Sequence, residues 1–151
     1  MPALAAFFHF LGAFVLFAAL AVELALARGP IDGALVRRLA IVDGVFGLAA
    51  LVVLVAGLLR VFYFEKGAAY YFHDVPFLVK LALFAIVGLL SIYPTRQFLG
   101  WRRAQRRGEA VTPDPARIAT IRRVLHVEAT LLVLVVLCAS LMAHGVGFIS
   151  R

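Results

Sequence analysis

Four stretches of this chain are too long and too apolar to form the core of a water-soluble domain, and they decide what it can become. Residues 4–27, LAAFFHFLGAFVLFAALAVELALA, come first. The others run over 41–64, 76–99 and 116–149, the last with its apolar part from Val124 to Ile149. At about 1.5 Å per residue each is long enough to cross a hydrocarbon layer of about 30 Å. Composition agrees: 64% of residues are hydrophobic and 15% charged, against about 45–50% and about 25% in soluble domains. A globule of 151 residues has too much surface to hide that excess. Lipid leaves unpaired backbone groups without partners, so spans of this composition must be helices. The fold class expected is all-α, an integral membrane antiparallel four-helix bundle forming a single transmembrane domain over 1–151. The short connections place neighbours in chain order side by side.

The first span could be read as a signal peptide, since Ala25-Leu26-Ala27 resembles a cleavage site. Met1-Pro2 supplies no basic leader and the apolar run is too long, so a retained helix is expected. Of the fifteen Lys and Arg, eleven lie in or beside two connections. Arg28, Arg37 and Arg38 flank the first; Arg96, Arg102, Arg103, Arg106, Arg107, Arg117, Arg122 and Arg123 flank the third. That asymmetry marks those connections as cytoplasmic. Both termini and the second connection then face the periplasm of a bacterial inner membrane. The net charge of +7 is thus a topology signal, with no separate basic domain for nucleic acid. The lone Cys138 excludes an internal disulfide and a Cys-based zinc site.

Ionisable residues inside spans are functional candidates, because lipid makes them costly. On the first helix His9, Gly12, Leu16, Ala19 and Glu23 share a face. On the second, Asp43, Gly47, Ala50, Leu54 and Gly57 do so, with Arg60 one turn on. On the third, Lys80, Phe84, Gly88, Ser91 and Thr95 form a stripe. On the fourth, His126, Thr130, Val133, Leu137, Ser140 and His144 align, the histidines roughly 27 Å apart. The small residues Gly12, Gly47, Gly57 and Gly88 are expected to bring backbones close.

Sorted by depth, an outer group holds His9, Arg60, His73, Lys80 and His144. An inner group holds Glu23, Asp43, Arg96, His126 and Glu128. Glu23 or Asp43 is expected to pair with Arg96 or His126. In the outer group His9 with His144 or His73 could ligate the iron of a non-covalent haem b, the only metal site this pattern offers. Arg60 and Lys80 would meet its propionates, or the head group of a quinone or anionic lipid. Tyr63, Tyr70 and Tyr71 would complete the wall. The aromatic stretch from Arg60 to Lys80 is then a cover over this cluster or a plain interfacial belt. Three functions stay open: a haem b redox protein; a module binding a lipid, a quinone or a partner subunit, including a second copy; and a small transporter or proton relay using Glu23, Asp43 and His126.

The run RVFYFEKGAAYYFH at 60–73, followed by LVKLALFAIVGLLSIYPT at 78–95, resembles an uncharacterised bacterial family of four-helix integral membrane proteins. That resemblance covers essentially the whole chain and implies a membrane protein without implying an activity. A looser likeness is to bacterial membrane protoporphyrinogen oxidases and the copper-resistance membrane proteins. It is carried by an early histidine on the first helix and a lysine opening the third, here His9 and Lys80.

Overall fold

The computed structural model describes residues 1–29, 32–65 and 68–147, with only the backbone of 68 and 69. The last two residues of the 116–149 span read from the sequence lie outside those residues. The elements are α1 (Pro2–Leu26), α2 (Gly33–Leu59), a single π-helical turn (Arg60–Phe64), the short α3 (Ala68–Tyr71), α4 (Val75–Arg106) and α5 (Pro115–Ala143). Among the described residues four helical stretches are long and apolar enough to cross a membrane: Pro2–Leu26, Gly33–Phe64, Val75–Arg106 and Pro115–Ala143. The described residues contain no β-sheet, so the fold is an all-α bundle of membrane helices.

Aspartates set three helix starts. Asp32 accepts the Leu35 amide at 2.7 Å, Asp74 that of Phe77 at 3.0 Å, and Asp114 that of Ala116 at 3.0 Å. Each satisfies a first-turn donor that has no partner within the helix. Pro76 and Pro115 fall in first turns, where a missing N–H removes nothing. The Asp32 cap explains why α2 begins eight residues before the apolar run at Ile41. At the same end of the bundle, where Gln105 donates to the Gly33 carbonyl at 2.7 Å, α4 continues through Pro94 to Arg106, past the Leu99 limit read from hydropathy. Membrane helices tolerate an internal proline when neighbours cover the freed carbonyl, and Pro94 is buried. Phe98, with no exposure, and Trp101 anchor the extra turns.

Helices α1 and α2 form one antiparallel hairpin and α4 and α5 another. The hairpins meet along α2–α4 and, more lightly, along α1–α5. Packing is uneven along the bundle. Leu16, Leu20, Leu39, Phe46, Phe98, Ile121 and Leu125 belong to one continuous core in the half nearer the α1–α2 and α4–α5 connections. Among the described residues the opposite half has a small buried cluster of Val61, Tyr71 and Phe77. The hairpins therefore part at the outer end, and a cavity opens there.

Candidate functional site

The cavity has a volume of about 730 Å³ and lies among α1, α2, α4 and α5. His9, Arg60 and Lys80 line it, together with Glu65 and Asp74, which sequence reading left out of the cluster. Phe10, Phe14, Phe77, Phe84 and Met142 are among its apolar walls.

His9 is fixed by a close helix crossing. Its Nδ1 lies 3.0 Å from the Val53 carbonyl oxygen. That oxygen can only accept, so Nδ1 carries the proton and a neutral ring keeps its lone pair on Nε2. The crossing needs Gly57: a Cβ there would stand 3.1 Å from His9 Cε1 and 3.2 Å from Nδ1. Gly12 plays a similar part on α1, where a Cβ would meet Val53 Cγ2 at 3.0 Å. Gly47 and Gly88, expected to do the same, have nothing within 4 Å of an added Cβ.

The π-helical turn at the end of α2 shapes the cavity mouth. Its closing bond runs from the Glu65 amide to the Arg60 carbonyl at 2.9 Å. Widening the helix by one residue brings Glu65 over Arg60, and the two form an ion pair with Nη2–Oε1 at 2.5 Å and Nε–Oε1 at 2.7 Å. The Tyr71 hydroxyl donates to the other carboxylate oxygen. Burial works against the charge on Glu65, but the bonds from Tyr71 and Arg60 outweigh it and hold the carboxyl below its ordinary range. Burial, and then the bond to Glu65, push the Tyr71 phenol above its own. Arg60 also stacks over Phe10, 5.4 Å from the ring centre, and Lys80 over Phe77 at 5.5 Å. No carboxylate pairs with Lys80 among the described residues.

The aromatic stretch divides by position. Tyr70 and Tyr71 line the cavity. Phe62, Tyr63 and Phe72 are more than half exposed and point away, as a membrane-interface belt would.

The other outer histidines stand apart from this group. His144 ends α5, is exposed and donates to its own helix, Nδ1 to the Ser140 carbonyl at 2.8 Å. His73 sits exposed in the turn before α4. Neither lines the cavity. The whole stripe from His126 to His144 faces away from the bundle; the buried face of α5 is Ile121, Leu125, Glu128, Leu132 and Cys138.

At the inner end the expected pairs do not form. Arg96 and His126 are exposed and make no ion pair among the described residues. Glu23, Asp43 and Glu128 are buried, and Asp43 accepts a 2.7 Å hydrogen bond from Thr95. Among the described residues no three His, Cys, Asp or Glu side chains are grouped to hold a metal ion.

Comparison with curated proteins and with solved structures finds no match. One family model, whose description carries no activity, matches residues 1–147: the chain belongs to the family described as "Predicted membrane protein (DUF2214)".

Proposed function

We propose that this membrane protein binds an isoprenoid quinone, or a closely similar neutral planar head on an apolar tail, in its outer-end cavity. One observation carries the reading. A lysine ammonium and an imidazole held with its Nε2 lone pair available line the same largely apolar cavity. The ammonium can donate to a quinone carbonyl, and the imidazole can accept the hydroxyl of the reduced form. Charge favours a neutral head over an anionic lipid. Arg60 and Lys80 are balanced formally by Glu65 and Asp74 in the lining, and Arg60 is already paired. The volume suits a drug-sized head group. The positive-inside bias adds that the cavity faces the periplasm of the inner membrane.

Haem b is the second reading, and the tethered His9 favours it. Histidine ligands to iron usually donate their other ring nitrogen to a carbonyl or carboxylate, as His9 does to Val53. His9 would then be the single protein ligand, with Arg60 and Lys80 beside the propionates. Haem would supply one-electron chemistry.

One preparation separates the two. Protein purified in mild detergent is examined for absorbance, then extracted into organic solvent and the extract assayed for quinone. Quinone near one per chain with no Soret band is the expected result. A Soret band gives the site to haem. Neither species, together with no saturable uptake of a short-chain ubiquinone, rejects both.

A further inference from the structure

The inner end of the bundle carries a second, separate group. Glu23 on α1 and Glu128 on α5 are each 1% exposed, and Asp43 on α2 is 6% exposed. Glu23 interacts electrostatically with both others, and Glu128 with Asp43. Thr95 of α4 donates to Asp43, so all four long helices contribute. Two oxygens, Glu23 Oε1 and Glu128 Oε1, are buried with no hydrogen-bond partner. Orphaned polar atoms inside a bundle call for an occupant.

Among the described residues no basic side chain forms an ion pair with these three acids. Arg96 follows Thr95 on α4 but is exposed, and His126 turns away and donates to the Arg122 carbonyl at 2.6 Å. Arg122 itself is tied to the carbonyls of Ala27 and Arg28, at 2.6 and 3.2 Å. Arg37 and Arg38 on α2 are exposed. Those arginine contacts mark the level of the inner surface. Counting from Ala27 and Arg122, Glu23 lies about 6 Å and Glu128 about 9 Å further in at 1.5 Å per residue. Burying three negative charges there without a counter-charge costs several kcal/mol per ion. A proton from solvent, bound directly on a carboxylate oxygen, removes that cost without needing any further ligand.

We propose that Glu23, Asp43 and Glu128 form an exchangeable proton-binding site inside the membrane, entered from the arginine-rich end. Its geometry is independent of the outer cavity, so it stands or falls apart from the quinone reading.

Dicyclohexylcarbodiimide tests it, because this apolar reagent consumes a protonated carboxyl and leaves a mass tag. Protein in nanodiscs is labelled at a series of pH values and the adducts mapped. Labelling of Glu23 or Glu128 is expected, falling about tenfold per pH unit once the site loses its proton. Asp43→Asn, which retains a hydrogen-bond acceptor for Thr95, should move the pH midpoint at the remaining pair. Infrared detection of a protonated-carboxyl band that disappears over the same pH range gives a check without mutation. No labelling, or labelling independent of pH, overturns the proposal. Protection by sodium or calcium at fixed pH and ionic strength also overturns it, in favour of a metal cation.

Discussion

Replacing Gly57 by alanine should weaken ligand binding more than it weakens the fold. The added Cβ would stand 3.1 and 3.2 Å from two atoms of the His9 ring, where carbon contacts normally settle at about 3.5–4.0 Å. The imidazole must retreat by roughly half an ångström. Its bond to Val53 is now 3.0 Å, and such a shift carries it to the edge of hydrogen bonding. The lost bond is worth about 1 kcal/mol. Alanine returns a similar amount through helix propensity, about 0.8–1.0 kcal/mol in soluble hosts, so the melting temperature should barely move. The misplaced Nε2 is not compensated in this way. A loss of about 1–2 kcal/mol in ligand contact corresponds to roughly five- to thirtyfold in Kd. The assay is titration of nanodisc-embedded protein with a short-chain ubiquinone by calorimetry, beside thermal unfolding. Three other glycines act as controls. Gly12→Ala strikes Val53 and Val52 at the α1–α2 contact and should lower stability by about 1–3 kcal/mol. Gly47→Ala and Gly88→Ala meet nothing within 4 Å; they should leave affinity unchanged and gain the helix-propensity stabilisation of about 0.8–1.0 kcal/mol with nothing to offset it. Unchanged affinity in Gly57→Ala, or equal effects across the glycines, would refute the claim that His9 placement governs the cavity.

Thr95→Val leaves the buried Asp43 without its donor and should cost about 1–3 kcal/mol in denaturant titration, while Thr95→Ser should stay close to wild type. Glu65→Gln tests the mouth. The folded carboxyl sits below its ordinary value of 4.5, so its stabilising contribution is fully present above that pH and is lost as pH falls through the lower folded value. Melting temperatures of wild type and Glu65→Gln should therefore differ near neutrality and converge in acid; a difference that persists unchanged would remove the ion pair from the account. Orientation is checked with single cysteines in a Cys138→Ala background. A cysteine at Tyr63 should react with an impermeant thiol reagent added outside intact cells, and one at Arg103 should not; the reverse pattern inverts the topology.

Some faces were legible in the sequence and others were not, and the difference is physical. On α1 the stripe from His9 to Glu23 does point inward, with Gly12, Leu16, Ala19 and Glu23 buried. Helix–helix packing selects small residues there, so periodicity reports it. On α5 the same reasoning chose the opposite face. Polar residues are expected to seek the bundle interior, but these satisfy themselves on their own helix. His126 donates to Arg122, Thr130 to His126 and His144 to Ser140, all through backbone carbonyls four residues back. Such bonds free a polar side chain to face lipid, and Glu128, two residues from His126, is the buried group. Arg60 and Lys80 were placed beside His9 correctly by depth. Glu65 escaped because its pairing with Arg60 spans five residues across a π-helical turn, a spacing that a 3.6-residue period does not register. The inner acids were found, but not that they would lack a basic partner. Long side chains such as Arg96 reach the polar surface more cheaply than they enter the core.

The central claim is that the outer cavity takes a neutral quinone-like head between His9 and Lys80. Its most direct test is the affinity of wild type, His9→Ala and Lys80→Gln for a short-chain ubiquinone in both redox states, measured in nanodiscs. Saturable binding should appear in wild type. Lys80→Gln should weaken the oxidised form more, and His9→Ala the reduced form more, each by roughly tenfold, the equivalent of one hydrogen bond to a charged or well-placed partner. Binding that is unsaturable in wild type, or identical in all three proteins, would contradict the account.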